Sequence, residues 1–248
     1  MKKLIIASIT AAAFCGTPAF AADMPVKAPA YRAVDPGYNW SGCYVGVEGG
    51  GAWGRTKQID VVPGNFGFGT AIQNTHVDGG LAGGTAGCNY QTGRWLWGFE
   101  GDLSWANLKG QAPPLDSFSQ QAVGARVSWL DTFRGRIGYA ADRTLFYVTG
   151  GAAFANVKAT ELNNQGAPLA VAKDRSGWAA GAGVEWALAD PHWSVKVEYL
   201  YVDFGKKLYV FEPFELDRTV RLNENIVRVG LNYKFGDPWG KAPVVAKY

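Results

Sequence analysis

Several ionisable residues of this chain stand two positions apart. Glu100 and Asp102 are two apart, as are Arg134 and Arg136, and Lys196 and Glu198. Glu48, Glu185, Arg228 and Lys234 stand in similar alternating stretches. Interleaved with apolar residues at period two, such groups lie on one face of β-strands. Five acids and five bases on that face are nearly balanced. Gathered inside a narrow barrel, they would either cross-link its wall or line a path for ions. Buried charges must be paired, so the balance predicts cross-links.

Other chemistry finds little support. Hydrolysis would need a base beside a nucleophile or an activated water. The chain has 2 His, and they fall in different connections: His76 in a long segment, His192 in "ADPHW" beside Ser194. The segment Gly49-x-Gly51-x-x-Gly54 has the dinucleotide-binding spacing, yet it sits in a strand with no βαβ unit, so strand glycine is the better reading. No catalytic, cofactor-binding or metal-ligating set is expected, and no cofactor. Cys43 and Cys88 open the first strand and close the second. Those ends meet in an antiparallel hairpin, so a cross-strand disulfide is expected near one rim; two free thiols in mismatched register is the alternative.

Elements that would hold these residues follow from the alternation. From Trp40 onward about eight period-two segments are predicted: Trp40–Arg55, Gly79–Gln91, Arg94–Asn107, Ala122–Tyr139, Arg143–Val157, Ser176–Leu188, Trp193–Phe204 and Glu224–Phe235. The tight turns "QTGR", "AADR" and "ADPH" follow the second, fourth and sixth, whereas long segments separate the rest. Alternating short turns and long loops are how outer-membrane barrels are strung. The third strand sets Trp95, Trp97, Phe99, Leu103 and Trp105 against Glu100, Asp102 and Ser104. A soluble ligand-binding barrel would turn the apolar face inward, a membrane barrel outward. Aromatics near the strand ends, and a cost of about 2–4 kcal/mol for each Arg or Lys facing lipid at the midplane, favour the membrane. Asp131, on the apolar face, is expected beyond the lipid at the outer end. Inward Gly46, Gly181, Gly183 and Gly230 would make room for long side chains.

The N-terminus supplies the compartment. "MKKLIIASITAAAFCGTPAFAAD" has two lysines, an apolar run and Ala19-Phe20-Ala21, the pattern of a signal peptide cleaved after Ala21. Bulky Phe14 before Cys15 argues against a lipoprotein. The expected organisation is a signal peptide at 1–21, an extended periplasmic leader at 22–39, a transmembrane β-barrel at 40–235 and a periplasmic tail at 236–248. The formal net charge of +3 falls to +1 when Lys2 and Lys3 leave with the signal, giving no reason to expect nucleic acid.

With "AFAADMPVKAP", "NWSGCYVGVEGG", "GCNYQ", "GDLSW", "FRGRIGYA", "LFYVTGGAAFANV", "SVKVEYLYVDFG" and "IVRVGLNYKFG" in this order, the chain resembles the small outer-membrane β-barrel family of alphaproteobacteria, which includes outer-membrane immunogenic and porin-like proteins. The resemblance implies an all-β, eight-stranded antiparallel up-and-down barrel supporting envelope integrity, with porin-like activity often attributed. The spacing of Arg228, Gly230, Tyr233 and Phe235 also resembles the signal read by the barrel-assembly machinery, placed internally because "GDPWGKAPVVAKY" follows.

The expected function is a structural outer-membrane barrel with an interior filled by paired charges; the alternative is a porin-like channel for small hydrophilic solutes. Expected partners are outer-membrane lipid and lipopolysaccharide, met through Lys173, Lys206, Lys207 and Arg218, the assembly machinery, and peptidoglycan through Lys241 and Lys247.

Overall fold

The alternating stretches form eight strands in a computed structural model that describes residues 38–60, 71–112, 123–162, 168–211 and 216–236. They are β1 (Gly42–Asp60), β2 (Ala71–Thr92), β3 (Trp95–Ala112), β4 (Val123–Ala141), β5 (Thr144–Leu162), β6 (Pro168–Ala187), β7 (Trp193–Phe211) and β8 (Leu216–Phe235). Each pairs antiparallel with the next, and β8 closes on β1 with Val45 opposite Tyr233 and Glu48 opposite Gly230. The barrel is all-β and up-and-down, as expected. Closure removes the free edges that an open sheet would present. The expected signal peptide with Cys15, the leader up to residue 37, and the tail from residue 237, with Lys241 and Lys247, lie outside the described residues.

The wall is inside-out relative to a soluble protein. Trp105 is 79% exposed and Leu103 68%, whereas Arg134 and Lys196 are fully buried. That arrangement is stable when the outer face meets lipid and the polar face fills the interior. Aromatics ring the band at both ends. Trp95 and Tyr139 stack edge-on at 5.7 Å, and Trp193 and Tyr233 at 5.0 Å, at the turn end; Trp178 and Tyr201 meet at 5.5 Å at the other. Amphipathic rings favour both membrane–water interfaces.

The strands run further outward than the apolar stripe indicated. Every strand except β4 extends into a stretch expected as loop. Beyond the outer ring the pattern inverts: Val77, Leu108, Val127, Val157 and Leu222 point inward and are buried, while Arg55, His76, Asp78, Lys109 and Arg126 face out. Water replaces lipid on the outside there, so the apolar face turns in. Lys173, Lys206 and Lys207, expected in loops, are strand residues. Arg218 is in β8, its side chain outside the described residues.

One seam is incomplete. The β6–β7 ladder ends at Trp178 opposite Asp203, although β6 continues to pair with β5 and β7 with β8. Side chains bridge the gap above it: Lys173 Nζ donates to the Leu208 carbonyl at 3.0 Å, Arg175 Nη2 to the Gly205 carbonyl at 3.0 Å, and Lys207 Nζ to the Asp174 carbonyl.

Candidate functional site: the barrel interior

Nine of the ten ionisable residues predicted to face inward meet in one buried belt. β3 supplies Glu100 and Asp102, β4 Arg134 and Arg136, and β7 Lys196 and Glu198; Glu48, Glu185 and Arg228 come from β1, β6 and β8. Two-residue spacing sends both members of each pair to the same side of the sheet. Arg134 reaches three carboxylates: Nη2 lies 2.8 Å from Glu100 and 2.9 Å from Asp102, and Nη1 3.0 Å from Glu198. Arg228 bonds Glu198 at 2.6 Å, Asp102 at 3.1 Å, and Glu48. Lys196 Nζ sits 2.9 Å from Glu100 and 3.3 Å from Glu48. Arg136 bonds Glu185 at 2.7 Å and lies 4.1 Å over the Tyr147 ring.

Neutral groups take up further valences of the belt. The Tyr44 hydroxyl donates to Glu100 at 2.6 Å and Tyr147 to Glu198 at 3.0 Å. Ser194 and Asn232 both donate to Glu185, at 2.6 and 2.9 Å. Thr132 donates to Asp102 at 2.5 Å and accepts from Arg134 at 2.7 Å. Charges taken out of water need such partners, since each lost partner leaves its desolvation uncompensated. Gly230 makes space for this: a Cβ there would lie 2.8 Å from Lys196 Cε. Likewise, a Cβ on Gly183 would lie 2.5 Å from the Tyr147 ring. The neutral partners were not anticipated, although Tyr44, Tyr147 and Ser194 have the inward parity of their strands.

A second layer closes the turn end. Residues Tyr38 to Ser41 cross the mouth and bond to all three turns. Trp40 N donates to the Gln91 side chain at 2.7 Å, and Trp40 Nε1 to the Asp142 carbonyl at 3.2 Å. Tyr38 N donates to the Asp142 carboxylate at 3.3 Å, and its hydroxyl to the Pro191 carbonyl at 2.5 Å. Trp40 is buried against Leu96, Ala140, Leu145, Tyr147 and Ala187. Burial, with the Glu185 and Asp190 carboxylates nearby, pushes the Tyr38 phenol up to about 12 against the opposing pull of Arg143.

The outer half of the interior is apolar, built from Leu81, Leu130, Leu200, Val202, Phe204, Leu222 and Ile226 among others. Two charged residues there were not anticipated. Arg175 Nη2 also donates to the Val220 carbonyl at 2.7 Å. Glu224 is fully buried, and neither carboxylate oxygen has a hydrogen-bond partner among the described residues. Glu224 has the parity of Arg228, which was the available signal; Arg175 lay in a stretch expected as loop.

Two expectations are corrected. Lys234 does not join the belt: it is the last inward residue of β8, below Asn232, and part-exposed, with Nζ 2.5 Å from the Asn39 carbonyl and 4.2 Å from the Tyr38 ring. Asp131 does not lie beyond the lipid; it pairs in register with Leu103 and Phe154, one outward position inside Trp129. Arg228 and Gly230 face inward while Tyr233 and Phe235 face out, as the alternation along β8 predicts.

Cys43 and Cys88 stand opposite one another and are joined by a disulfide. His76 lies toward the outer end of β2, and His192 in the β6–β7 turn at the other end. The His192 backbone and ring both bond Asp190 at 2.9 Å, holding that carboxyl below its ordinary range.

Comparison with known proteins matches this architecture. The profile of the family described as outer membrane protein beta-barrel domain matches residues 7–235. The chain is 35% identical over 253 residues to the 31 kDa outer-membrane immunogenic protein of Brucella melitensis, covering 95% of this chain and 100% of that one. It is 29% identical to the 22 kDa outer membrane protein of Rhizobium leguminosarum, covering 82% and 81%. Among solved structures it is similar to outer membrane protein AlkL, at 17% identity and a TM-score of 0.48, covering 86% of this chain and 98% of that one. A charge-filled, inside-out barrel with this breadth of likeness is a bacterial outer-membrane protein, and the chain belongs to the outer membrane protein beta-barrel domain family.

Proposed function

We propose that this barrel is a structural element of the outer membrane whose interior is closed to solutes. One observation carries the reading: the Tyr38–Ser41 segment crosses the turn-end mouth directly beneath the charge belt, so a solute would have to break two layers in series. The width of an eight-stranded barrel supports it, since side chains suffice to fill such an interior. An ion moving through the belt would compete with buried guanidinium–carboxylate bonds. The porin-like alternative requires both layers to move together. Osmotic swelling of vesicles carrying the protein separates the two: the closed barrel gives the rate of lipid alone in small sugars, and a porin gives rapid swelling.

The partners of this reading come from the two ends. Lys173, Lys206 and Lys207 flank the β6–β7 gap just above Trp178 and Tyr201, at the level of lipopolysaccharide phosphates, to which basic groups are attracted. The β8 strand, ending at Phe235, is the segment offered to the assembly machinery. The tail is assigned to the periplasm, where Lys241 and Lys247 would meet peptidoglycan.

A further inference from the structure

The lipid-facing wall carries a groove of about 1150 Å³ over β1 to β4. Its floor is made of residues too small to fill the band: Gly84 and Ala86 of β2 and Gly101 of β3. Its sides are Val45, Val47, Phe99, Leu103 and Phe133. The groove runs from the Cys43–Cys88 level to Trp105 and Phe154 at the outer ring. Gly84 and Cys88 alone are separated by about 14 Å of strand, enough for much of one acyl chain.

Asp131 lies at the outer end of this groove. Among the described residues it is the charged side chain on the outward face between the two aromatic rings, where the other positions hold apolar residues, glycine or Asn225. One carboxylate oxygen accepts the Ser104 N–H at 3.3 Å; the other has no hydrogen bond among the described residues. A carboxylate at a lipid surface is unfavourable, less so near the interface than at the midplane, and gains from a cation.

We infer that this groove holds one lipid of the outer leaflet whose headgroup bears a protonated amine, with an acyl chain over Gly84, Ala86 and Gly101 and the ammonium on Asp131. Charge complementarity selects this occupant: a phosphate-only headgroup would be repelled, and a second barrel would bring its own carboxylate to the same place. The inference rests on the barrel spanning the membrane and not on its being closed, so a conducting barrel would leave it standing.

Native mass spectrometry of the full chain, folded in detergent with phosphatidylethanolamine or phosphatidylglycerol of identical acyl chains, tests it. The wild type is expected to retain one phosphatidylethanolamine about fivefold better than phosphatidylglycerol, the worth of one partly exposed ion pair. Asp131→Asn, which keeps an acceptor for Ser104, should remove that preference, lowering phosphatidylethanolamine retention and raising phosphatidylglycerol retention as the repulsion of its phosphate is lifted; Asp131→Glu should keep it. Gly84→Leu with Ala86→Leu should lose both lipids. Gly84 tolerates a side chain, because an added Cβ comes no nearer than 3.7 Å to its closest neighbour. Equal retention of the two lipids by the wild type, a preference that survives Asp131→Asn, or a protein dimer in place of a bound lipid would overturn it. Heat-modifiable migration of each variant checks that the barrel is folded.

Discussion

The Trp40 indole donates to the Asp142 carbonyl at 3.2 Å, joining the segment before the first strand to a turn 102 residues later. This bond seats the ring under the charge belt, where Leu96, Leu145 and Tyr147 surround it. Trp40→Ala should destabilise the barrel by about 3–5 kcal/mol through the cavity it leaves. Trp40→Phe should recover much of the packing while forgoing one hydrogen bond, worth about 1 kcal/mol. Urea unfolding in lipid, followed by heat-modifiable migration, ranks the three. Neither variant should raise conductance, because the belt above remains intact.

Within the belt, Arg228 is bonded to Glu48, Asp102 and Glu198. Arg228→Met takes one cationic partner from each of three buried carboxylates, leaving Asp102 and Glu198 to Arg134 and Glu48 to Lys196, and should cost about 3–5 kcal/mol. Arg228→Lys should cost less, since it keeps the charge but loses the planar fork. A cycle combining Arg228→Met with Glu198→Gln should show strong non-additivity, as expected for groups in one network.

The Cys43–Cys88 bridge ties the start of β1 to the end of β2 across a separation of 45 residues. Reduction, or Cys43→Ser with Cys88→Ser, should lower stability by about 2–4 kcal/mol while preserving the barrel. Mass spectrometry of the unreduced protein should find no alkylation at either cysteine. Alkylation of both would remove the bridge.

Alkaline behaviour follows from Tyr38. Its phenol titrates near 10 when unfolded and at about 12 in the folded barrel, mainly because it is buried. The folded state therefore holds its proton more tightly. That contribution is complete below about pH 10 and is lost as pH rises from about 10 to about 12. Tyr38→Phe should flatten the stability profile across this window. A profile identical to the wild type would exclude Tyr38 as its source.

Much of this was legible in the sequence because lipid imposes a simple rule along a strand. Trp97, Phe99, Leu103 and Trp105 had to face out, which sent Glu100 and Asp102 in to meet Arg134 and Arg136, and the facing strand ends placed Cys43 against Cys88. The outer extensions escaped because the rule reverses where water replaces lipid: Val77 and Leu222 point inward under exposed Asp78 and Arg221. The Tyr38–Ser41 crossing escaped for another reason. Trp40 and Ser41 read as the start of the first alternating segment, whereas β1 begins at Gly42, and the crossing depends on Gln91, Asp142 and Pro191, which only the closed barrel brings together.

The end of β8 gives a test in cells. Phe235 completes the seam opposite Cys43, so removing Gly236–Tyr248 should leave the heat-modifiable barrel in the outer-membrane fraction. Loss of assembly would place part of the signal within residues 236–248 instead.

Planar-bilayer conductance of the full wild-type protein measures closure of the interior most directly. A barrel sealed by the Tyr38–Ser41 segment and the Arg134–Arg228 charge belt gives no steady current above the bare membrane. Steady, large single-channel openings would contradict it.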